Sequence, residues 1–210
     1  GMTETAPVSA QSSTSDSVEQ RVGTVGRVHP HLEIKIVDEQ GKVVPRGQLG
    51  ELCVRGYSVM LGYWEDHEKS QEVIDSARWM HTGDIAEMDE AGFVKIKGRI
   101  KDVVIRGGEN LFPKEIEDFL YTHPDVSDVQ VIGLPDARYG EELCACIILH
   151  EHHEITEESI RQYCAEHISH NKVPRYVRFF NEFPMTASGK AQKFKLQEFM
   201  RNELDLKEIA

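Results

Sequence analysis

Gly98-Arg99-Ile100-Lys101-Asp102-Val103-Val104-Ile105-Arg106-Gly107-Gly108 marks the point at which the pattern of this chain changes. Before it, short alternating runs are separated by turn residues. Leu32, Ile34 and Ile36 alternate with Glu33 and Lys35 up to the turn at Gln40-Gly41-Lys42, and Glu51 to Arg55 reads as another strand. Asp84 to Met88 and Phe93 to Lys97, joined by Asp89-Glu90-Ala91-Gly92, predict a strand, a turn and a strand, because period-two alternation places apolar side chains on one sheet face. Residues 1 to 20 read as loop and Glu65 to Ser76 as a short surface helix. Beyond Gly98, helices and strands alternate. Asp102 to Arg106 is strand-like, Pro113 opens a helix to about Tyr121, and Val126 to Leu134 and Glu142 to Leu149 are apolar strands. Thr156, followed by Glu157 and Glu158, predicts a capped helix to about His167, Arg175 to Phe180 a strand, and Phe194 to Leu204 an amphipathic helix. The expected fold class is mixed α and β. A mostly antiparallel β segment, residues 1–98, precedes a small α+β domain, residues 99–210, and the boundary lies at Gly98 to Asp102.

The chain has 210 residues, 40% of them hydrophobic, which suffices for a buried core. A net charge of −12 disfavours a surface that neutralises nucleic-acid phosphates, which needs a basic face. No run approaches the roughly 18 apolar residues that span a bilayer, and the first residues carry neither a basic n-region nor an apolar h-region. A cytoplasmic protein is expected, or a mitochondrial-matrix one in a eukaryote, with any targeting segment upstream. Cys53, Cys144, Cys146 and Cys164 make no disulfide framework and read as reduced, buried thiols. Cys144 and Cys146 with His150-Glu151-His152-His153 lack a second metal-type pair, so no metal site is expected there.

Pro184-Met185-Thr186-Ala187-Ser188-Gly189-Lys190-Ala191-Gln192-Lys193 places a lysine on a loop of small residues. A P-loop also ends in Gly-Lys, but it needs glycine where this chain has Pro184 and Ser or Thr where it has Ala191. Lys190 is better suited to act as a mobile point charge that neutralises a carboxylate attacking a phosphate. One such donor is typically worth on the order of 10²–10³ in rate. Taken singly, Thr82-Gly83-Asp84 would be a turn, Gly107-Gly108 in the loop Gly107-Gly108-Glu109-Asn110 would be weak evidence, and Ser188-Gly189-Lys190 would be a solvated loop.

Together, and in this order, the segments resemble the C-terminal part of the acyl-adenylate-forming superfamily of acyl-CoA synthetases, adenylation domains and luciferases. Val22-Gly23-Thr24-Val25-Gly26-Arg27 and Gly50-Glu51-Leu52-Cys53-Val54-Arg55-Gly56 are similar to segments of that family that are mainly structural. In Gly1-Met2-Thr3-Glu4-Thr5 the resemblance implies that Thr3 meets an ATP phosphate and that Glu4 serves Mg²⁺. It implies that Asp84 binds the ribose hydroxyls, that Arg99 reaches ribose or phosphate, and that Lys101 is the hinge about which the small domain turns. Gly107 and Gly108 would admit the pantetheine arm of coenzyme A, and Lys190 would be the catalytic lysine. Gly56 to Trp64 and Ile105 to Asn110 look like medium-chain fatty acyl-CoA synthetases.

The resemblance therefore implies ATP, Mg²⁺ and coenzyme A, with a fatty acid as the second substrate. It also implies that the phosphate loop and acyl pocket lie before residue 1, so that these 210 residues alone form no acyl-adenylate. A carrier-protein-loading adenylation enzyme and a non-catalytic nucleotide-binding module are the alternative expectations. A luciferase-type oxygenase is disfavoured by the ending Glu208-Ile209-Ala210, which is not a peroxisomal signal.

Overall fold

The computed structural model describes residues 1–153, 155–187 and 189–206. Ser188 of the lysine loop and the Glu208-Ile209-Ala210 ending lie outside the described residues. The chain divides into two compact units, Gly1–Lys101 and Asp102–Ala210.

In the first unit, β1 (Ala10–Gln11), α1 (Val18–Gly23) and β2 (Arg27–Val28) precede a meander of β3 (Leu32–Val37), β4 (Gly50–Gly56), β5 (Met80–Met88) and β6 (Val94–Arg99). The four meander strands are antiparallel in sequential order, and β1 pairs antiparallel with β2. Helix α2 (His67–Val73) lies between β4 and β5 in sequence, inside the stretch expected to be helical. One sheet face carries the core of Ile36, Leu52, Val54, Met80, Ala86 and Val94. Each buried Ile, Leu, Val or Met side chain among them contributes about 1.5–3 kcal/mol.

The loop expected over residues 1–20 is partly wrong. Ser17 caps α1 by accepting from Gln20 N at 3.3 Å, while Gln20 returns a bond to Ser17 N at 3.0 Å. This reciprocal capping box fixes a helix start in a Ser/Thr-rich stretch whose composition reads as loop.

The second unit contains β7 (Val104–Arg106), β8 (Glu109–Leu111), α3 (Pro113–Leu120), β9 (Val126–Asp136), β10 (Gly140–Leu149), α4 (Glu157–His167), β11 (Tyr176–Phe179) and α5 (Lys193–Glu203). Strand β10 is the organiser: it pairs antiparallel with β9 along its length, parallel with β11, and with β7 at Gly140–Arg106. Its apolar run is continuous because both faces are covered. Leu143, Ala145 and Ile147 join Ile116 and Leu120 of α3 and Ile160 and Cys164 of α4 on one side. Cys144 and Cys146 join Leu196 and Met200 of α5 on the other. Thr156 caps α4 by accepting from Ser159 N at 3.1 Å, as its sequence implies.

Gly107 and Gly108, read from sequence as a loop running into Glu109 and Asn110, instead form the two-residue turn of a β7–β8 hairpin. Their φ values of +61° and +87° match a turn with both central residues left-handed. Among the described residues, no helix is long and apolar enough to cross a membrane.

Candidate functional site

Thr82-Gly83-Asp84 is not a free turn but an expansion inside β5. Cys53 pairs with His81 and Glu51 pairs with Ile85, so Thr82, Gly83 and Asp84 stand opposite the single residue Leu52. Such a bulge removes ladder acceptors from the extra residues, and only glycine adopts the φ of +71° found at Gly83 without strain. Side chains supply the missing acceptors. Gly83 N donates to Glu51 Oε1 at 3.0 Å, Asp84 N donates to Thr82 Oγ1 at 3.1 Å, and Thr82 Oγ1 donates to Leu52 O at 2.8 Å.

On its other side β5 pairs with β6, which sets Asp84 directly opposite Arg99. Arg99 Nε donates to Asp84 Oδ1 at 3.2 Å. The Asp84 side chain is 22% exposed and that of Arg99 46%. Burial raises the Asp84 carboxyl above its usual range, and Arg99 opposes this in part. Asp84 thus keeps acceptor capacity for a diol beside a guanidinium able to meet a phosphate.

Below the bulge, His81 Nδ1 lies 2.7 Å from Glu51 Oε2 and 3.5 Å from Cys53 Sγ. These three offer metal-type donor atoms within 4.8 Å of one another. Two light donors on one tetrahedral zinc stand about 3.3 Å apart, given metal–donor distances near 2.0–2.1 Å. The 2.7 Å His81–Glu51 contact is therefore a hydrogen bond, and the cluster satisfies itself.

Thr3 and Glu4 lie on a single 3₁₀ turn, Thr3–Thr5. Glu4 is tied at two points: its carbonyl accepts from Met60 N at 2.9 Å, and its Oε1 accepts from Tyr63 Oη at 3.0 Å. Oε2 remains as a hard oxygen ligand, and one carboxylate completed by phosphate oxygens is a usual Mg²⁺ set. Thr3 is exposed, whereas Thr5 is buried, its Oγ1 accepting from Ser9 Oγ at 3.0 Å. No hydrogen bond or ion pair among the described residues joins Thr3 or Glu4 to Asp84 or Arg99. Lys101 is exposed on the 3₁₀ turn Ile100–Asp102, where the first unit ends.

In the second unit the Gly107–Gly108 turn is held from β10 and the turn before it. Gly107 N donates to Tyr139 O at 2.8 Å, and a Cβ on Gly107 would stand 3.3 Å from the Tyr139 ring. Gly108 opens on free space, with nothing within 4 Å of an added Cβ. Such an open glycine lets a ligand approach the backbone. Ile105 N donates to Glu141 Oε2 at 2.7 Å. Arg106 makes a two-point bond to Glu142, at 2.8 and 2.9 Å, and its guanidinium lies 4.8 Å from the Tyr139 ring centre.

The lysine loop is a closed hairpin. Met185 bridges Ala191, Thr186 N donates to Lys190 O at 2.8 Å, and Gln192 N donates to Pro184 O at 2.8 Å. Lys190 N donates to Thr186 Oγ1 at 3.0 Å, and its side chain is exposed, in no ion pair among the described residues. Lys193, three residues on, is engaged instead: its Nζ bonds Glu117 Oε1 at 2.6 Å and Val131 O at 3.0 Å.

The structure thus pairs Asp84 with Arg99, sets Thr3 and Glu4 on one 3₁₀ turn and Gly107 and Gly108 in one hairpin turn, and puts Lys101 and Lys190 each on a segment of its own. Sequence reasoning missed Glu51, Tyr63 and the Arg106–Glu142 pair. Their partners are 30 to 59 residues away in sequence, with no local spacing to reveal them.

Two family models match parts of the chain. The AMP-binding enzyme model matches residues 1–64 and the AMP-binding enzyme C-terminal domain model matches residues 115–190. The medium-chain acyl-CoA ligase ACSF2 of Bos taurus, named as mitochondrial, is 53% identical over 98% of this chain and 34% of its own length. The acyl-CoA synthetase YngI of Bacillus subtilis is 50% identical over 94% of this chain and 36% of its own. The ATP-bound crystal structure of MatB from Rhodopseudomonas palustris superposes with a TM-score of 0.89 at 35% identity, covering 97% of this chain and 40% of that one. The chain spans about a third of the length of these curated relatives, and with its mixed, mostly antiparallel fold it belongs to the AMP-binding, adenylate-forming enzyme family.

Proposed function

We propose that these residues serve an ATP-dependent acid–thiol ligase that joins a medium- or long-chain fatty acid to coenzyme A. The observation that carries this reading is the Asp84–Arg99 pair, a half-buried carboxylate beside a guanidinium, which suits a ribose diol next to a phosphate. The half-identical relatives named as acyl-CoA ligase and acyl-CoA synthetase supply the reaction class. On this reading residues 1–98 end the large AMP-binding domain, and residues 99–210 form the small domain that turns about Lys101.

In the first half-reaction the acid's carboxylate oxygen bonds to the α-phosphorus of ATP. The bond from that phosphorus to the bridging oxygen breaks, and pyrophosphate leaves. Lys190 neutralises the two like-charged reactants, and Thr3 hydrogen-bonds a phosphate oxygen. Glu4 would hold Mg²⁺, which offsets phosphate charge when bound. In the second half-reaction the coenzyme A sulfur bonds to the acyl carbon, the acyl–phosphate bond breaks, AMP leaves and the thiol proton passes to solvent. Gly107 and Gly108 would border the pantetheine arm. The proposed compartment is the cytoplasm, or the mitochondrial matrix in a eukaryote, the location named for the bovine relative.

In a protein of the relatives' length that carries this chain, pyrophosphate release should depend on added medium-chain acid. Lys190→Ala should slow adenylate formation by about 10²–10³-fold, while thioester formation from supplied acyl-adenylate continues. Release independent of fatty acid, or full adenylate formation by the Lys190→Ala protein, would overturn the reading.

A further inference from the structure

We propose that Glu51 is the positioning residue that sets Asp84 for the nucleotide, an inference that rests on the reading of Asp84 as the ribose carboxylate. The β5 expansion places Thr82, Gly83 and Asp84 opposite one residue of β4, so the amides of Gly83 and Asp84 have no ladder acceptor on that side. Thr82 supplies one from within the bulge, through Oγ1. The other must come from outside, and it comes from Glu51, the last residue of β4 that pairs before the expansion.

Both Glu51 oxygens are committed. Oε1 accepts from Gly83 N at 3.0 Å and Oε2 from His81 Nδ1 at 2.7 Å, so one carboxylate grips β5 on both sides of Thr82. Its side chain is only 20% exposed, which keeps water from substituting freely. Gly83 takes a φ of +71° and has nothing within 4 Å of an added Cβ, so nothing packs where its side chain would stand. The Glu51 hydrogen bond anchors its amide, and Asp84 is the next residue along the chain. Without it a partly buried N–H loses its partner, the bulge relaxes toward water, and the carboxylate shifts relative to Arg99. Displacements near 1 Å cost on the order of 10²-fold where positioning matters.

The test uses the full-length enzyme with Glu51→Ala, Glu51→Asp, Glu51→Gln and Asp84→Asn, each checked for native circular dichroism. Glu51→Ala and the shorter Glu51→Asp should raise the KM for ATP about 10–100-fold, with the KM values for fatty acid and coenzyme A unchanged. Both should erase the preference for ATP over 2′-deoxy-ATP, the outcome also expected of Asp84→Asn. Glu51→Gln retains an Oε1 acceptor for Gly83 N and should recover to within about threefold of the parent. Hydrogen exchange over residues 80–88 should quicken in the Ala and Asp variants and not in Gln. If Asp84→Asn loses the preference while Glu51→Asp keeps it, or if Glu51→Gln fails to rescue, the inference is wrong and the Asp84 reading stands. If Asp84→Asn leaves nucleotide discrimination untouched, the reading of Asp84 itself falls.

Discussion

Glu142→Ala should destabilise the second unit by leaving a buried ion pair without one of its partners. The Glu142 side chain is 1% exposed and that of Arg106 17%, and two bonds of 2.8 and 2.9 Å join them. Removing one partner of a buried pair costs about 3–5 kcal/mol, because the remaining charge is left unpaired in a poor solvent. Arg106 retains some access to water and the Tyr139 ring face, so the lower end, about 3 kcal/mol, applies. For a unit of about a hundred residues this lowers Tm by roughly 12–24 °C, at 4–8 °C per kcal/mol.

The double variant Arg106→Met, Glu142→Leu separates charge from packing. Replacing a whole buried pair with apolar side chains is often neutral, so the double variant should recover most of the loss. Urea denaturation followed by far-ultraviolet circular dichroism, with hydrogen exchange over β9 and β10, reads the second unit. A Glu142→Ala loss below about 1 kcal/mol, or a double variant as unstable as the single one, would refute the claim that an unpaired buried charge sets the cost.

Gly107→Ala combines a left-handed φ of +61° with a Cβ 3.3 Å from Tyr139, whereas Gly108→Ala meets only the φ of +87°. Thermal melts should show Gly107→Ala as the costlier, with backbone strain alone worth about 1–2 kcal/mol at each site. Asp84 gives a pH signature. Its folded pKa is raised by burial, so the stability it contributes is fully present below the unfolded carboxylate range and is lost as pH rises through the raised folded pKa. Asp84→Asn should therefore gain stability relative to the parent at neutral pH, the difference vanishing on acidification. Fluorescence of Trp64 and Trp79, both in the first unit, during urea titration measures this.

Elements built from contiguous signals were legible in the sequence. Thr156 caps α4 because its hydroxyl reaches an amide three residues on, and Leu32 to Val37 alternates because its strand has one buried face. The Ser17–Gln20 box was equally local but lay within a stretch whose composition argued for loop. Strand β8 could not be read, since three residues carry no usable period and its pairing depends on the glycine turn before it.

The order of the motifs, and with it the family, followed from the sequence alone, and the same resemblance proposed Asp84, Arg99 and Lys190 as site residues, because short motifs are contiguous and need no tertiary contact to be read. Tertiary structure decided what holds them. Register between β4 and β5 turned Thr82-Gly83-Asp84 into a bulge and made Glu51 its acceptor. Register between β5 and β6 set Arg99 on Asp84, and the fold of β10 brought Glu142 to Arg106. Sequence periodicity records which face a residue occupies, whereas a hydrogen bond between residues 32 or 36 positions apart exists only once strand pairing has fixed their register.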